Sequence, residues 1–300
     1  MIKAINTSVI PRGEHNVSRK QLSRNAIFAL YRLRDHGYIA YLVGGCVRDL
    51  LLSRTPKDFD IATNATPEQI KRLFRNCRLI GRRFRLAHLQ FRDETIEVST
   101  FRSAATSEED GVGESERQSG PIRHLKDEDG MVLRDNIFGT PMEDALRRDF
   151  TINALAYNIA DFSVIDVTNG IADLKQRIIR PIGDPTVRFI EDPVRMIRAV
   201  RFAATLRFTI ERETWEILCS RSSTITRAAP ARLYEEILKL FLLGSARPIF
   251  ILLDRSGLLA ALLPWLDRWL HEHAGASAII HSTLERIDAL VGDETPPHLP

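Results

Sequence analysis

Two short motifs constrain this chain more than any other feature: Gly44-Gly45-Cys46-Val47-Arg48-Asp49 and, just beyond it, Asp58-Phe59-Asp60. A glycine pair following the apolar run Ile39–Val43 makes a turn whose backbone has no Cβ in the way, so phosphate oxygens can approach the amides closely. Two carboxylates at i and i+2 on extended backbone point to one face, where they can bridge a divalent cation. A fold that carries both needs a strand delivering the turn and a neighbouring strand delivering the carboxylates.

At 300 residues the chain can bury a sizeable core and has room for more than one domain. Its 44% apolar and 27% charged content belong to a globular protein, not to a disordered or fibrous one. The net charge of +3 is small but uneven: between Lys71 and Arg92 there are eight Lys/Arg and no Asp or Glu, an excess that favours a polyanionic partner. Cys46, Cys77 and Cys219 have neither disulfide nor zinc-type spacing, as expected of thiols in a reducing compartment. No apolar stretch is long enough to span a bilayer, and Met1-Ile2-Lys3-Ala4 does not open an apolar signal region. The expectation is a cytoplasmic protein with no membrane partner.

Hydrophobic periodicity predicts a helix over 18–36 with Gly37 as its stop, a strand at Ile39–Val43, a helix from Val47, and the carboxylate strand Asp58–Ala62. Thr66-Pro67-Glu68 reads as an N-cap followed by proline at the first helical position. Leu79–Ile80, Ala87–Phe91 and Ile96–Phe101 complete a mixed sheet, joined later by 156–159 and 164–166. Residues 102–134 are polar and Ser/Glu/Gly-rich, the composition of a mobile exposed loop. A helix from about Glu143 carries Arg147-Arg148-Asp149. Beyond Pro181-Ile182-Gly183 only helical spacing remains, at 185–206, 211–219, 231–243, 246–255 and 258–270. The expected fold class is therefore α+β: a mixed-sheet head over 1–183 and an all-helical remainder.

Paired aspartates beside a phosphate-cradling turn point to phosphoryl or nucleotidyl transfer, in which divalent metal draws charge from the α-phosphate and the leaving pyrophosphate. Asp58 and Asp60 fit as metal ligands. A third carboxylate is usual in such sites, and two candidates stand open: Glu97, which alternates against Ile96 and Val98, and Asp149, which follows two arginines able to grip phosphate oxygens. Gly45, Arg48 and Arg148 are candidate phosphate contacts. Taken singly, Glu97 and Arg148 read better as ordinary surface salt-bridge residues.

Four segments, in order, resemble one family. They are Gly44-Gly45-x-x-Arg48-Asp49, Asp58-Phe59-Asp60, Arg147-Arg148-Asp149-Phe150-Thr151-Ile152-Asn153-Ala154, and Glu191-Asp192-Pro193-Val194-Arg195-Met196-Ile197-Arg198-Ala199-Val200-Arg201-Phe202. Together they are similar to the class II polymerase-β-like nucleotidyltransferases, the bacterial poly(A) polymerases and CCA-adding enzymes, over about residues 20–243. The resemblance implies a nucleotidyltransferase head, a helical neck at 184–243 that selects the base and binds RNA, and the start of a helical body at 244–300. It implies Mg²⁺ as cofactor, ATP as nucleotide, RNA 3′ ends as acceptor, and Asp58, Asp60 and Asp149 as catalytic residues.

The last segment also has a physical reading. With Asp192 as N-cap and Pro193 as first helical residue, Asp192 and Arg195 lie one turn apart. An acceptor beside a donor complements the amino group and ring nitrogen of adenine or cytosine, and opposes guanine and uracil. Arg198 and Arg201 follow at three-residue spacing as candidate triphosphate contacts.

Within the family, Arg78-Leu79-Ile80-Gly81-Arg82-Arg83-Phe84-Arg85-Leu86-Ala87-His88 is similar to the basic stretch of poly(A) polymerases, with Leu89 where CCA enzymes of this class continue His-Gly-Thr. Val9-Ile10-Pro11-Arg12 and Ser18-Arg19-Lys20 resemble the polymerase amino terminus. Arg82, Arg83 and Arg85 become candidate RNA contacts. The implied activity is AMP addition to RNA 3′ ends, with tRNA CCA addition as the near alternative and a non-catalytic RNA-binding protein or a helical adaptor as the distant ones. Relatives continue into a larger helical body and basic tail, so a chain ending at Pro300 reads either as a cut version of them or as a naturally short one.

Overall fold

The computed structural model describes residues 7–81, 85–103, 125–126, 132–134 and 138–292, which fall into two compact units, 1–174 and 175–300. The seam lies ahead of the boundary expected near 183. The reason is a short strand, β11 (Ile178–Ile179), which pairs in parallel with β12 (Thr209–Ile210) and so belongs with the helices.

The first unit is built on an eight-stranded sheet: β1 (Ser8–Ile10), β2 (Ala40–Val43), β3 (Asp60–Thr63), β4 (Cys77–Ile80), β5 (Leu86–Gln90), β6 (Thr95–Thr100), β9 (Ala156–Asn158) and β10 (Val164–Asp166). Their spatial order is β1-β10-β9-β2-β3-β6-β5-β4, antiparallel except for the parallel pair β3/β6. Two further short strands, β7 (Leu125–Lys126) and β8 (Val132–Arg134), form a separate hairpin. The rest of the expected loop at 102–134 lies largely outside the described residues.

One face of the sheet is apolar because alternate strand residues are: Leu42, Ile61, Leu89, Ile96 and Val98 are fully buried. Helices α1 (Arg24–Asp35) and α3 (Pro67–Leu73) lie against it, contributing Leu30, Leu33 and Ile70, also fully buried. Each such side chain contributes roughly 1.5–3 kcal/mol. Local sequence sets the helix ends. Ser23 caps α1, so the helix starts later than the expected residue 18 and is preceded by a 3₁₀ turn over 19–21; Gly37 takes φ +83° behind it. Thr66 and Gln69 form a reciprocal capping box on α3. Helix α2 (Gly45–Leu51) begins inside the glycine motif itself.

Helix α4 (Pro141–Leu146), capped by Thr140, is shorter than expected, so Arg147, Arg148 and Asp149 follow its end instead of riding on it. Helix α5 (Gly170–Gln176) has no counterpart in the sequence reading.

The second unit is helical apart from β11 and β12: α6 (Pro185–Glu191), α7 (Val194–Leu206), α8 (Arg212–Arg221), α9 (Pro230–Leu240), α10 (Ala246–Arg255), α11 (Leu258–Leu262), α12 (Pro264–Glu272) and α13 (Ala276–Gly292). The helix expected over 185–206 is broken at Asp192-Pro193, where proline has no N–H to continue the ladder and forces extended backbone on Asp192 (φ −152°, ψ 92°). Helix α7 is the hub, with Met196, Ile197, Ala199 and Val200 fully buried and α6, α9 and α10 packed around it. Among the described residues no helix is long and apolar enough to cross a membrane.

Candidate active site

The sheet's second face carries Asp60 and Glu97. Strand register aligns one residue from each of the eight strands into a single rung: Val9, Ile165, Ala156, Val43, Asp60, Glu97, His88 and Arg78. Register partners share a face, so the carboxylates of Asp60 and Glu97 stand side by side at mid-sheet. His88 Nε2 lies 3.4 Å from Glu97 Oε2.

Asp60 opens β3 and Asp58 sits just before it, exposed, with buried Phe59 between them; the expected strand Asp58–Ala62 thus begins two residues late. The Asp60 carboxyl is pushed up to about 6, first by burial and then by Glu97 and Asp58, with Arg148 opposing. A half-buried carboxylate crowded by two others is a place where a cation is favoured.

The glycine turn approaches Asp60 from the other side. Gly44 has φ +81°, and a Cβ there would lie 3.2 Å from Arg148 Nη1 and 3.8 Å from Asp60 Oδ2. The missing side chain is what allows the guanidinium to stand next to the turn. Arg148 is aimed by Asp144, a carboxylate only 2% exposed that accepts from Arg148 Nη2 at 2.9 Å and from Arg147 Nη2 at 2.8 Å. Burial would raise the Asp144 carboxyl, but Arg148 and Arg147 outweigh it and hold it below the usual range. An apolar cavity of about 260 Å³ adjoins this point, with Val43, Tyr41, Phe101 and Arg148 on its wall.

Other expected contacts lie differently. Arg48 is buried and inward-facing, donating to Asn153 Oδ1 at 2.8 Å and pairing with Asp49, so it ties α2 to the Thr151–Asn153 turn. Asp149 accepts from the Phe150 amide and from Asn153 Nδ2, while Glu97 stands beside Asp60 in the strand register. Gly45 opens α2 beside Arg48. Cys46 donates its thiol to Val43 O, and burial pushes it up to about 12. Arg82 and Arg83 lie outside the described residues; Arg85 is exposed and pairs with Glu68.

In the second unit, Asp192 does not cap α7: Pro193 is the N-cap, and Asp192 supplies its carbonyl to Arg195 N while its carboxylate accepts from Arg232 Nη2 at 2.8 Å. Arg195 donates to Arg188 O and Glu191 Oε2. The two side chains share a turn but are not bonded to each other. Arg198 and Arg201 converge on Glu236, 6% exposed, at 3.0 and 3.1 Å. Asp144 and Glu236 have no place in the sequence reading, and Glu191 enters it only as the first residue of the fourth segment. Asp144 precedes Arg147 and Arg148 by three and four residues, as Glu191 precedes Arg195 by four, and that helical spacing was the available signal; Glu236 had none.

Among the described residues no three His, Cys, Asp or Glu side chains close into a metal cage. Magnesium does not need one: it is characteristically held by one or two carboxylates together with substrate phosphate oxygens. The oxygen-only donor pair Asp58/Asp60 fits that mode.

A carboxylate rung on an open sheet face, abutting a glycine turn that opens a helix, defines a nucleotidyltransferase head. The comparisons agree. Residues 40–180 match the family model "Poly A polymerase head domain", and 207–270 match "Probable RNA and SrmB- binding site of polymerase A". The chain is 48% identical over 289 residues to Poly(A) polymerase I of Salmonella typhi, covering 96% of this chain and 60% of that one. It is 38% identical to the CCA-adding enzyme of Lactobacillus helveticus over 76% of this chain and 53% of the relative. The crystal structure of the Bacillus stearothermophilus CCA-adding enzyme in complex with CTP superposes with a TM-score of 0.63 at 32% identity, covering 78% of this chain and 52% of the other. The chain belongs to the poly(A) polymerase and CCA-adding enzyme family of nucleotidyltransferases. It spans about 60% of the length of the poly(A) polymerases it matches.

Proposed function

We propose that this protein transfers AMP from ATP to RNA 3′ ends, releasing pyrophosphate, in the cytoplasm. The observation that carries this reading is the rung itself: Asp60 and Glu97 adjacent, Asp58 beside them, and the Gly44 turn with Arg148 on the opposite flank. Asp58 and Asp60 would hold Mg²⁺, which, when bound, withdraws charge from the phosphate under attack and from the departing pyrophosphate. The glycine turn, which lets phosphate approach closely, and the Arg148 guanidinium orient the triphosphate. Asp144 keeps Arg148 aimed, and the low-dielectric wall behind Val43 strengthens that contact.

Glu97 is the better third carboxylate, because it shares the rung with Asp60 whereas Asp149 is committed to the Phe150 amide and Asn153. The two candidates separate by mutation. Glu97→Gln is expected to lower kcat by about 10²-fold or more. Asp149→Asn, which keeps one acceptor for the Phe150 amide, is expected to lower thermal stability before it lowers kcat. Steady-state rates and a melting curve on both variants decide the assignment.

Base choice rests on Asp192 and Arg195. As they stand, Arg232 and Glu191 hold them apart, so an adenine or cytosine edge would be read as each side chain exchanges an internal partner for the base. Arg198 and Arg201 share the single carboxylate of Glu236, which ties α7 to α9 in this state.

ATP is preferred over CTP as the substrate because the 48% relatives, aligned over nearly the whole chain, are poly(A) polymerases and because Leu89 replaces the glycine of the His-Gly-Thr signature. CCA addition is the second reading, favoured by the fold neighbours and by the more distant sequence relatives. Incubating the protein with Mg²⁺, generic RNA or tRNA lacking its CCA end, and each nucleotide separately is expected to give ATP-dependent extension of both acceptors. Productive use of CTP on the tRNA would replace the first reading with the second.

A further inference from the structure

The rung has a polarity that the proposed reaction does not by itself require. The Gly44–Gly45 turn and Arg148, assigned above to the triphosphate, lie on the β2 side of Asp60. The other side runs through Glu97 on β6 and His88 on β5 to Arg78 on β4, the edge strand. In-line displacement places the attacking oxygen opposite the leaving group. With pyrophosphate leaving on the β2 side, the 3′-hydroxyl must arrive from the Glu97 side, and the strand behind it must run out over His88 and Arg78.

We propose that Arg78 binds the last internucleotide phosphate of the acceptor RNA, with the terminal ribose lying over His88. This rests on the adenylyl-transfer reading above and adds to it the location of the acceptor strand. Arg78 is two strand spacings, about 10 Å, from Glu97, which leaves room for one nucleotide between the attacking hydroxyl and the phosphate preceding it. It is exposed, and among the described residues no carboxylate pairs with it. Its basic neighbour Arg85 differs in this respect, being bound to Glu68 at 2.7 Å. His88, half-buried and 3.4 Å from Glu97, is flat, small and close enough to the carboxylates to floor a sugar without filling the path. An exposed guanidinium on the rung that carries the carboxylates, without a carboxylate partner among the described residues, is suited to a backbone phosphate, which it can grip bidentately and without regard to sequence.

The test uses the whole chain, ATP and short RNA acceptors, comparing the parent with Arg78→Ala and Arg78→Lys. Arg78→Ala is expected to raise KM for RNA about tenfold with KM for ATP unchanged, and Arg78→Lys to recover part of the loss. The slope of log KM for RNA against log salt should become shallower by about 0.7, the signature of one lost phosphate contact on a single strand. A neutral methylphosphonate at the last linkage should weaken the parent and leave Arg78→Ala indifferent. Equal sensitivity of both proteins to that linkage, an unchanged salt slope, or a rise in KM for ATP instead of RNA overturns the assignment. If the parent extends no RNA with ATP, the adenylyl-transfer reading fails by itself. Fluorescence anisotropy of the same labelled RNA then decides the contact separately: weaker binding by Arg78→Ala upholds it, and equal binding ends it.

Discussion

Replacing Asp60 with asparagine should remove nucleotide addition, by about 10³-fold or more in kcat, while leaving the protein at least as stable as the parent in metal-free buffer. The first half follows from chemistry: an amide oxygen carries no charge with which to hold a cation against a triphosphate, and such a cation supplies several kcal/mol of transition-state stabilisation. The second half follows from the site's electrostatics. Asp60 is half-buried beside Glu97 and Asp58, and burial followed by those charges disfavours its ionised form despite Arg148. Ionised Asp60 therefore costs folding free energy, on the order of 1–3 kcal/mol, and an isosteric neutral residue relieves it. Single-turnover addition of AMP and thermal melting with a chelator present measure the two halves. A variant that melts well below the parent would mean the carboxylate holds the fold together; one that retains substantial activity would remove it from metal binding.

That combination, loss of function with no loss of stability, marks where local sequence rules and function part company. The elements that follow local chemistry were legible. The Thr66 cap, the alternation along Ile96–Phe101 and the glycine turn all depend on residues within a few positions of one another. The candidate site was half legible for the same reason: Asp58 and Asp60 are two residues apart, whereas the pairing of Asp60 with Glu97 depends on a parallel strand pair that only the folded sheet establishes. The order β3-β6-β5-β4, which puts His88 and Arg78 on the same rung, is likewise a property of the sheet.

Short strands such as β11 and β12, two residues each, carry too little periodicity to announce themselves, and their pairing moves the seam between the units ahead of 183. At Asp192-Pro193 the sequence reads as a helix cap within the helical segment 185–206, whereas the fold ends one helix at Glu191 and starts the next after Pro193. The Asp192 carboxylate pairs instead with Arg232, forty residues away. Glu236 gathers Arg198 and Arg201 across a similar distance. Charges that meet only through tertiary packing leave no local trace.

Asp144 is the residue whose loss should do the widest damage. It is almost fully buried, and both guanidiniums that it holds keep about a fifth of their side-chain surface in water. Removing one partner of a buried pair costs about 3–5 kcal/mol, and the partial exposure of the arginines puts Asp144→Ala at the lower end, roughly 3 kcal/mol. Arg148, released, would no longer stand against the Gly44 turn, so KM for ATP should rise as well. Stability and substrate binding fall together here, the reverse of Asp60. The pH dependence gives an independent check. Because the Asp144 carboxyl is held below its ordinary value in the folded protein, its contribution is fully present above about pH 4 and is lost as pH falls through the lowered value. The parent should therefore lose stability relative to Asp144→Ala on acidification below about pH 4, the two unfolding curves drawing together. Denaturant melts of both proteins at pH 7 and pH 3 read this directly: a gap that stays constant across that range would show that Asp144 acts by packing and not through its charge.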